Sequence, residues 1–206
     1  MKLYDNTAAP NPRRVRVFMA EKGLEIDTVQ VDMLKGEHKT PEFIEKNLQG
    51  QIPVLELDDG TCISESVAIC RYLELIQPEP PLFGTSAVQQ AQTEMHHRRI
   101  ELLLVRHIGT SWVNGPIVAK MAPGRFQQIP EAKTQADAAA HAYYRRLDKE
   151  LASRDYLAGD EYSIVDITGM CLIDFAEQLV GLAPDPELAN VAAWRARVAS
   201  RPSAKA

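Results

Sequence analysis

Gln77-Pro78-Glu79-Pro80-Pro81-Leu82-Phe83-Gly84-Thr85-Ser86 separates two differently patterned parts of this chain. Proline lacks an amide donor and fixes φ, so this stretch suits neither a helix interior nor a central strand. Before it, strand and helix signals alternate. Leu3-Tyr4 reads as a short strand, residues 12–22 as a helix ended by Gly23, and 26–31 as a second strand. Thr40 is placed to cap a short helix over 41–47. Residues 54–57 and 61–63 flank Asp58-Asp59-Gly60, and an Asp-Gly pair there signals a tight hairpin turn. Ile69, Cys70, Leu73 and Ile76 form one stripe on a helix over 66–76. After the proline-rich stretch the strand signals fade. Long helical patterns cover 87–111 and 131–153, the second with Ala136, Ala139, Ala140, Tyr143, Leu147 and Leu151 at helical spacing. A loop is expected over 121–130, and two further helices over 163–179 and 187–200. The expected organisation is a βαβαββα domain over 1–76, a linker over 77–86 and an all-helical domain over 87–206.

Composition narrows the class. The 206 residues are 45% hydrophobic and 25% charged, the balance of a folded chain rather than a disordered one. The net charge is −5 and no Lys/Arg run appears, so neither nucleic acid nor an anionic membrane is an expected partner. The longest aliphatic run, Leu102 to Val105, is far too short to span a bilayer, and the first residues lack a signal peptide's apolar stretch. Cys62, Cys70 and Cys171 are widely spaced, which favours a reduced, cytoplasmic protein with no disulfide framework and no metal site. Nucleophile-elbow, P-loop, zincin and dinucleotide-binding motifs are absent.

Four polar segments remain as candidates. In Ala9-Pro10-Asn11-Pro12-Arg13-Arg14-Val15, Asn11 reads as an N-cap with Pro12 at the first helical position. The free amides at such a helix start favour an anion, a thiolate included. Gln51-Ile52-Pro53-Val54 puts a proline directly before a strand; a cis bond there would turn the Ile52 backbone toward an extended peptide. Ser64-Glu65-Ser66 opens the third helix and offers a carboxylate site, and Lys39, beside His38, supplies a cation. Ser163 and Asp166, at N-cap and N3 spacing between Tyr162 and Ile167, read as a capping box with a hydrophobic staple and therefore as folding determinants.

Taken in order, these segments resemble the cytosolic glutathione S-transferase family over essentially the whole chain. The resemblance rests on 10–15 through 20–23, 36–43, Gly50 to Leu55, Glu65 to Ile69 with Tyr72-Leu73, the Ser163–Asp166 cap, and Trp194 to Pro202. It implies a thioredoxin-like N-terminal domain, an all-α C-terminal domain, usually a homodimer, and glutathione as co-substrate beside a pocket for a small hydrophobic electrophile. Carried over residue by residue, Ile52 next to cis Pro53 would pair with the cysteinyl part of glutathione. Glu65 and Ser66 would hold the γ-glutamyl end, and Lys39, with His38 and Gln51, would meet the glycyl carboxylate. Trp112, Met95 and Arg99 are candidates for the electrophile pocket. The chain departs from the pattern at Ala9, which aligns with the family's common catalytic Ser, and no cysteine lies nearby. Tyr4 is not adopted as a substitute. Asn11 is the first candidate for stabilising the thiolate and Thr7 the second, the Pro-Asn pair resembling bacterial relatives that act on glutathione disulfides. Three activities fit: a glutathione transferase, a glutathione-dependent disulfide oxidoreductase, and a non-catalytic ligand-binding protein on the same fold.

Overall fold

Burial alternates along the first strand, and this sets the N-terminal architecture. In β1 (Lys2–Asp5), Leu3 and Asp5 are buried on one face while Tyr4 turns to the other, the two-residue period of a strand. The computed structural model describes residues 1–206. β2 (Asp27–Gln30) runs parallel to β1, β3 (Val54–Glu56) antiparallel to β1, and β4 (Cys62–Ser64) antiparallel to β3, in the order β2-β1-β3-β4. α1 (Pro10–Lys22) makes the parallel crossover and packs against α3 (Ser66–Ile76), with Val15, Phe18, Ile69 and Leu73 fully buried. On the opposite face, Phe43 of α2 (Pro41–Lys46) joins Val31, Ile52 and Val54, and the Tyr4 ring meets Phe43 edge-on at 5.8 Å. This is a thioredoxin-like sheet with helices on both faces.

The chain divides into two units, Met1–Leu82 with Pro202–Ala206, and Phe83–Arg201. Two groups of contacts explain where the first unit ends. Buried Lys22 donates to the carbonyls of Pro78 and Pro80 and pairs with Glu74 at 2.5 Å, drawing the proline-rich stretch onto α1 and α3. The C-terminal 3₁₀ turn (Pro202–Lys205) returns to α1, where Arg13 donates to the Ala204 carbonyl at 3.0 Å and the Ser203 hydroxyl donates to Glu21.

The second unit is all helical. A capping box of Ser86 and Gln89 opens α4 (Ala87–Ile100). A π-helical segment, Glu101–Val105, joins it to α5 (Arg106–Val113), and α6 (Pro116–Met121) follows. The helix expected over 87–111 thus contains an inserted wide turn, and the loop expected from 121 starts only after Met121. α7 (Pro130–Leu151) buries Ala136, Ala140, Tyr144, Leu147 and Leu151. The expected stripe had Tyr143; Tyr144 takes the core position instead, its hydroxyl donating to the Leu182 carbonyl at 3.1 Å. α8 (Ile164–Phe175) is buried along nearly its whole length, passes into a second π segment, Ala176–Val180, and packs with α9 (Ala189–Ala199). Trp112 lies against Phe175, ring centroids 5.1 Å apart. Tyr162 meets Tyr156 edge-on, ring centroids 5.7 Å apart, and lies under the Arg201 guanidinium at 4.0 Å. No helix is long and apolar enough to cross a membrane.

Candidate functional site

Strand register gathers the candidate segments at one end of the sheet. Tyr4 is opposite Val54, and Val54 is opposite Ser64. One step beyond the ladder, the loop after β1, the Ile52-Pro53 pair and the Glu65-Ser66 pair therefore stand side by side.

The loop after β1 is built on Asp5. This buried carboxylate pairs with Arg16 at 2.5 Å and accepts from Gln30 Nε2 at 2.7 Å. Those partners in turn hold the Thr7 backbone: its N–H donates to Gln30 Oε1 at 3.2 Å and its carbonyl accepts from Arg16 at 3.3 Å. Asn6 folds the rest of the turn, its side chain donating to the Val31 carbonyl and accepting from Ala8 N–H.

α1 starts earlier than the reading of Asn11 as a cap implies. Ala9 is the N-cap, without a side-chain hydrogen bond, and Pro10 is the first helical residue, so Asn11 and Pro12 lie inside the first turn. Both prolines suit the first turn, since the amides there have no partner within the helix. The consequence for anion binding is specific. Pro10 and Pro12 carry no N–H, and Ala9 N–H is bonded to the Asn6 carbonyl at 3.1 Å, which leaves Asn11 as the amide donor of this helix start.

The Asn11 side chain is tied to α3 through a residue the sequence reading missed. Arg14, only 3% exposed, donates from one guanidinium nitrogen to Asn11 Oδ1 at 3.1 Å and to Ser66 Oγ at 2.5 Å. Its signal was its i+3 relation to Asn11, which puts both on one helix face. Neither Ser64 nor Glu65 caps α3 with a side chain. Glu65 is the N-cap and the one non-glycine residue at positive φ, 68°. A conformation of that kind costs about 1–3 kcal/mol and persists where the surroundings enforce it, most often at binding sites. It presents the start of α3, with Ser66 as its first residue, uncapped toward this end of the sheet.

The third group is knitted around Gly50 and Asn47. The Ile52–Pro53 bond is cis, and Ile52 precedes the first paired residue of β3. Asn47 donates to the Gln51 carbonyl at 2.9 Å and accepts from Gln49 N–H at 3.1 Å. Lys39 Nζ donates to the Gln49 carbonyl at 2.9 Å. Gly50 sits at φ 54°, and a Cβ there would fall 2.7 Å from the His38 carbonyl and 2.8 Å from Lys39 Nζ. Lys39 and Gln51 are exposed around this turn, whereas His38 is buried beneath it, a support rather than an open contact.

The structure thus joins Asn11 to Ser66 through Arg14, and Lys39 and His38 to the Gln51 turn through Gly50. Thr7 stands apart, fixed on the β2 side. Tyr4 is engaged elsewhere, its hydroxyl donating to Glu56 at 2.7 Å. Cys62 begins β4, at the opposite end of that strand from Ser64, and burial raises its thiol pKa. Cys70 and Cys171 are buried. No cluster of metal-ligating side chains is present.

Residues 1–74 match the glutathione S-transferase N-terminal domain model and 102–202 the corresponding C-terminal domain model. Glutathione S-transferase 2 of Saccharomyces cerevisiae is 36% identical over 207 residues, covering 100% of this chain and 88% of the relative. The crystal structure of a glutathione S-transferase domain-containing protein from Marinobacter aquaeolei superposes with a TM-score of 0.88 at 37% identity, over 98% of this chain and 99% of that one. That of Gtt2 from S. cerevisiae gives 0.88 at 35% identity, over 100% and 99%. With both halves matched and the likeness extending over the full length, the chain belongs to the glutathione S-transferase family.

Proposed function

We propose that the protein is a glutathione transferase that binds glutathione along the end of the N-terminal sheet and stabilises its thiolate for attack on a hydrophobic electrophile. The observation that carries this reading is the register that sets Ile52-Pro53 beside Glu65-Ser66 and the start of α1. An extended peptide would pair with the Ile52 backbone in the manner of an added strand. Its γ-glutamyl carboxylate would meet Ser66 and the start of α3 with Glu65 alongside, and its glycyl carboxylate would meet Lys39 and Gln51 above buried His38. The thiol then falls toward Asn11, with Thr7 further along the same loop.

Losing the hydroxyl at Ala9 does not forbid activation. A free thiol has a pKa of about 8.5, and lowering it by two units requires roughly 2.7 kcal/mol. One hydrogen bond to a charged group contributes about 1.5–3 kcal/mol, and a helix dipole about 0.3–1. The Asn11 backbone and side-chain amides would supply the first and α1 the second. No disulfide joins Cys62, Cys70 and Cys171. None of them lies at this end of the sheet to form a mixed disulfide, which favours the transferase over an oxidoreductase using the protein's own thiol.

The test is a titration of glutathione thiolate absorbance in the presence of the protein. The expected midpoint lies well below the value of about 8.5 for a free thiol. Absence of saturable glutathione binding overturns the reading; binding with an unshifted thiol leaves a ligand-binding protein and overturns the transferase.

A further inference from the structure

Arg14 has no part in the reaction as described above, yet its geometry constrains both side chains that do. A guanidinium only donates hydrogen bonds. The Asn11 atom facing it must therefore be the carbonyl oxygen, and the two N–H bonds of that amide point elsewhere. Ser66 Oγ likewise accepts from the same nitrogen, so the Ser66 hydroxyl hydrogen is free to aim away from Arg14. One buried cation thus turns an ambivalent amide and an ambivalent hydroxyl into two outward donors, one on α1 and one at the first residue of α3.

We propose that Arg14 is a positioning residue for the anionic γ-glutamyl end of the bound peptide, acting through Ser66 and Asn11. This rests on the reading of Ser66 as the contact for that carboxylate. Arg14 itself stays under the site, 3% exposed, and supplies long-range attraction for the anion in a region of low dielectric. Lysine would not reproduce the effect, since its flexible ammonium lacks the fixed planar geometry that aims both hydrogens of one guanidinium nitrogen at Asn11 and Ser66.

The experiment compares affinities for glutathione and for glutathione amidated at the γ-glutamyl α-carboxylate, measured by calorimetry on the full chain. Wild type is expected to prefer glutathione by about 10- to 100-fold, the range for losing a charge-assisted hydrogen bond. Arg14→Gln is expected to weaken glutathione binding and to shrink that preference at least fivefold, and Ser66→Ala to shrink it similarly, with the double variant no worse than either single one. A purely structural Arg14 would weaken both ligands equally and leave the ratio unchanged, which would overturn the proposal. If Arg14→Gln fails to fold, Arg14→Lys serves, again with a reduced ratio expected. Wild type that binds glutathione without discriminating the amide refutes the Ser66 contact and this proposal with it. Wild type that binds neither ligand refutes the glutathione site as a whole.

Discussion

Asn11 lies inside the first turn of α1 and not at its N-cap, which Ala9 occupies. Pro10 and Pro12 both satisfy the preference for proline in a helix's first turn, and sequence gives no means of choosing between them. The structure starts α1 at Pro10, so in the proposed site Asn11 would act from inside the turn through its side chain and its own N–H. Asn11→Ala removes the side-chain donor but keeps the backbone one. A loss of about tenfold in kcat/KM is expected, close to 1.4 kcal/mol and typical of one hydrogen bond to a charge, with a matching upward shift of the bound thiol's titration. Steady-state kinetics with a chromogenic electrophile would check this; unchanged kcat/KM and thiol midpoint would remove Asn11 from the mechanism. Gly50 was legible only as part of a motif. Its need for glycine comes from φ 54° and from the approach of the His38 carbonyl, and the second is set by a part of the chain 12 residues away. Arg14 was passed over because neighbouring Arg13 looks identical in sequence, and only the fold decides that Arg14 turns inward while Arg13 reaches the C-terminal turn.

At the level of elements, helices with strong local signals were readable and their irregularities were not. The Ser163–Asp166 box was visible because its determinants lie three residues apart, and the structure forms both of its bonds. Its tertiary role was not visible. Asp166 is fully buried and also accepts from Leu157 N–H at 2.8 Å and Trp194 Nε1 at 2.9 Å. Burial raises its pKa from 3.8 to about 6, outweighing the four donors that favour the charged form. The folded value lies above the unfolded one, so this group's contribution is complete below about pH 3.8 and is lost as pH rises through about 6. Asp166→Asn, which does not titrate, should be less stable than wild type throughout, but by a margin that narrows between pH 5 and 7.5. Urea midpoints across that range would show it, and a constant margin would contradict it. The π segments at 101–105 and 176–180 escaped the reading because a single wide turn of i→i+5 bonds has no residue signature of its own. Packing across α8 is as tight as its burial suggests. A Cβ at Gly169 would fall 2.6 Å from Leu157 Cδ1 and 3.0 Å from the Trp194 ring, so Gly169→Ala should destabilise by roughly 1–3 kcal/mol despite alanine's better helix propensity. An unchanged or raised Tm would refute that.

At the level of the whole molecule, the division into a mixed unit and a helical unit was legible because proline spacing and the loss of strand signals are local properties. The return of Pro202–Ala206 to the first unit was not, since nothing in a short polar tail names its partner. Assembly is also a property of the whole molecule. On the helical unit, Val88, Met95 and Leu102 are exposed and recur every seven residues along α4 and its π extension, with Leu103 beside them. A seven-residue apolar repeat on a continuous helical run is the pattern of a helix face that packs against another. Solvent exposure of that stripe is unfavourable by roughly 25 cal/mol for each Å² of apolar surface, and self-association through it would recover the loss. The chain is therefore expected to be a homodimer at micromolar concentration, and Val88→Arg with Leu102→Arg to shift it to monomer without disturbing the N-terminal glutathione cleft, from which both residues are absent. Sedimentation equilibrium decides the matter. A wild-type mass equal to one chain would refute the dimer, and a dimer untouched by the double substitution would place the interface on another face.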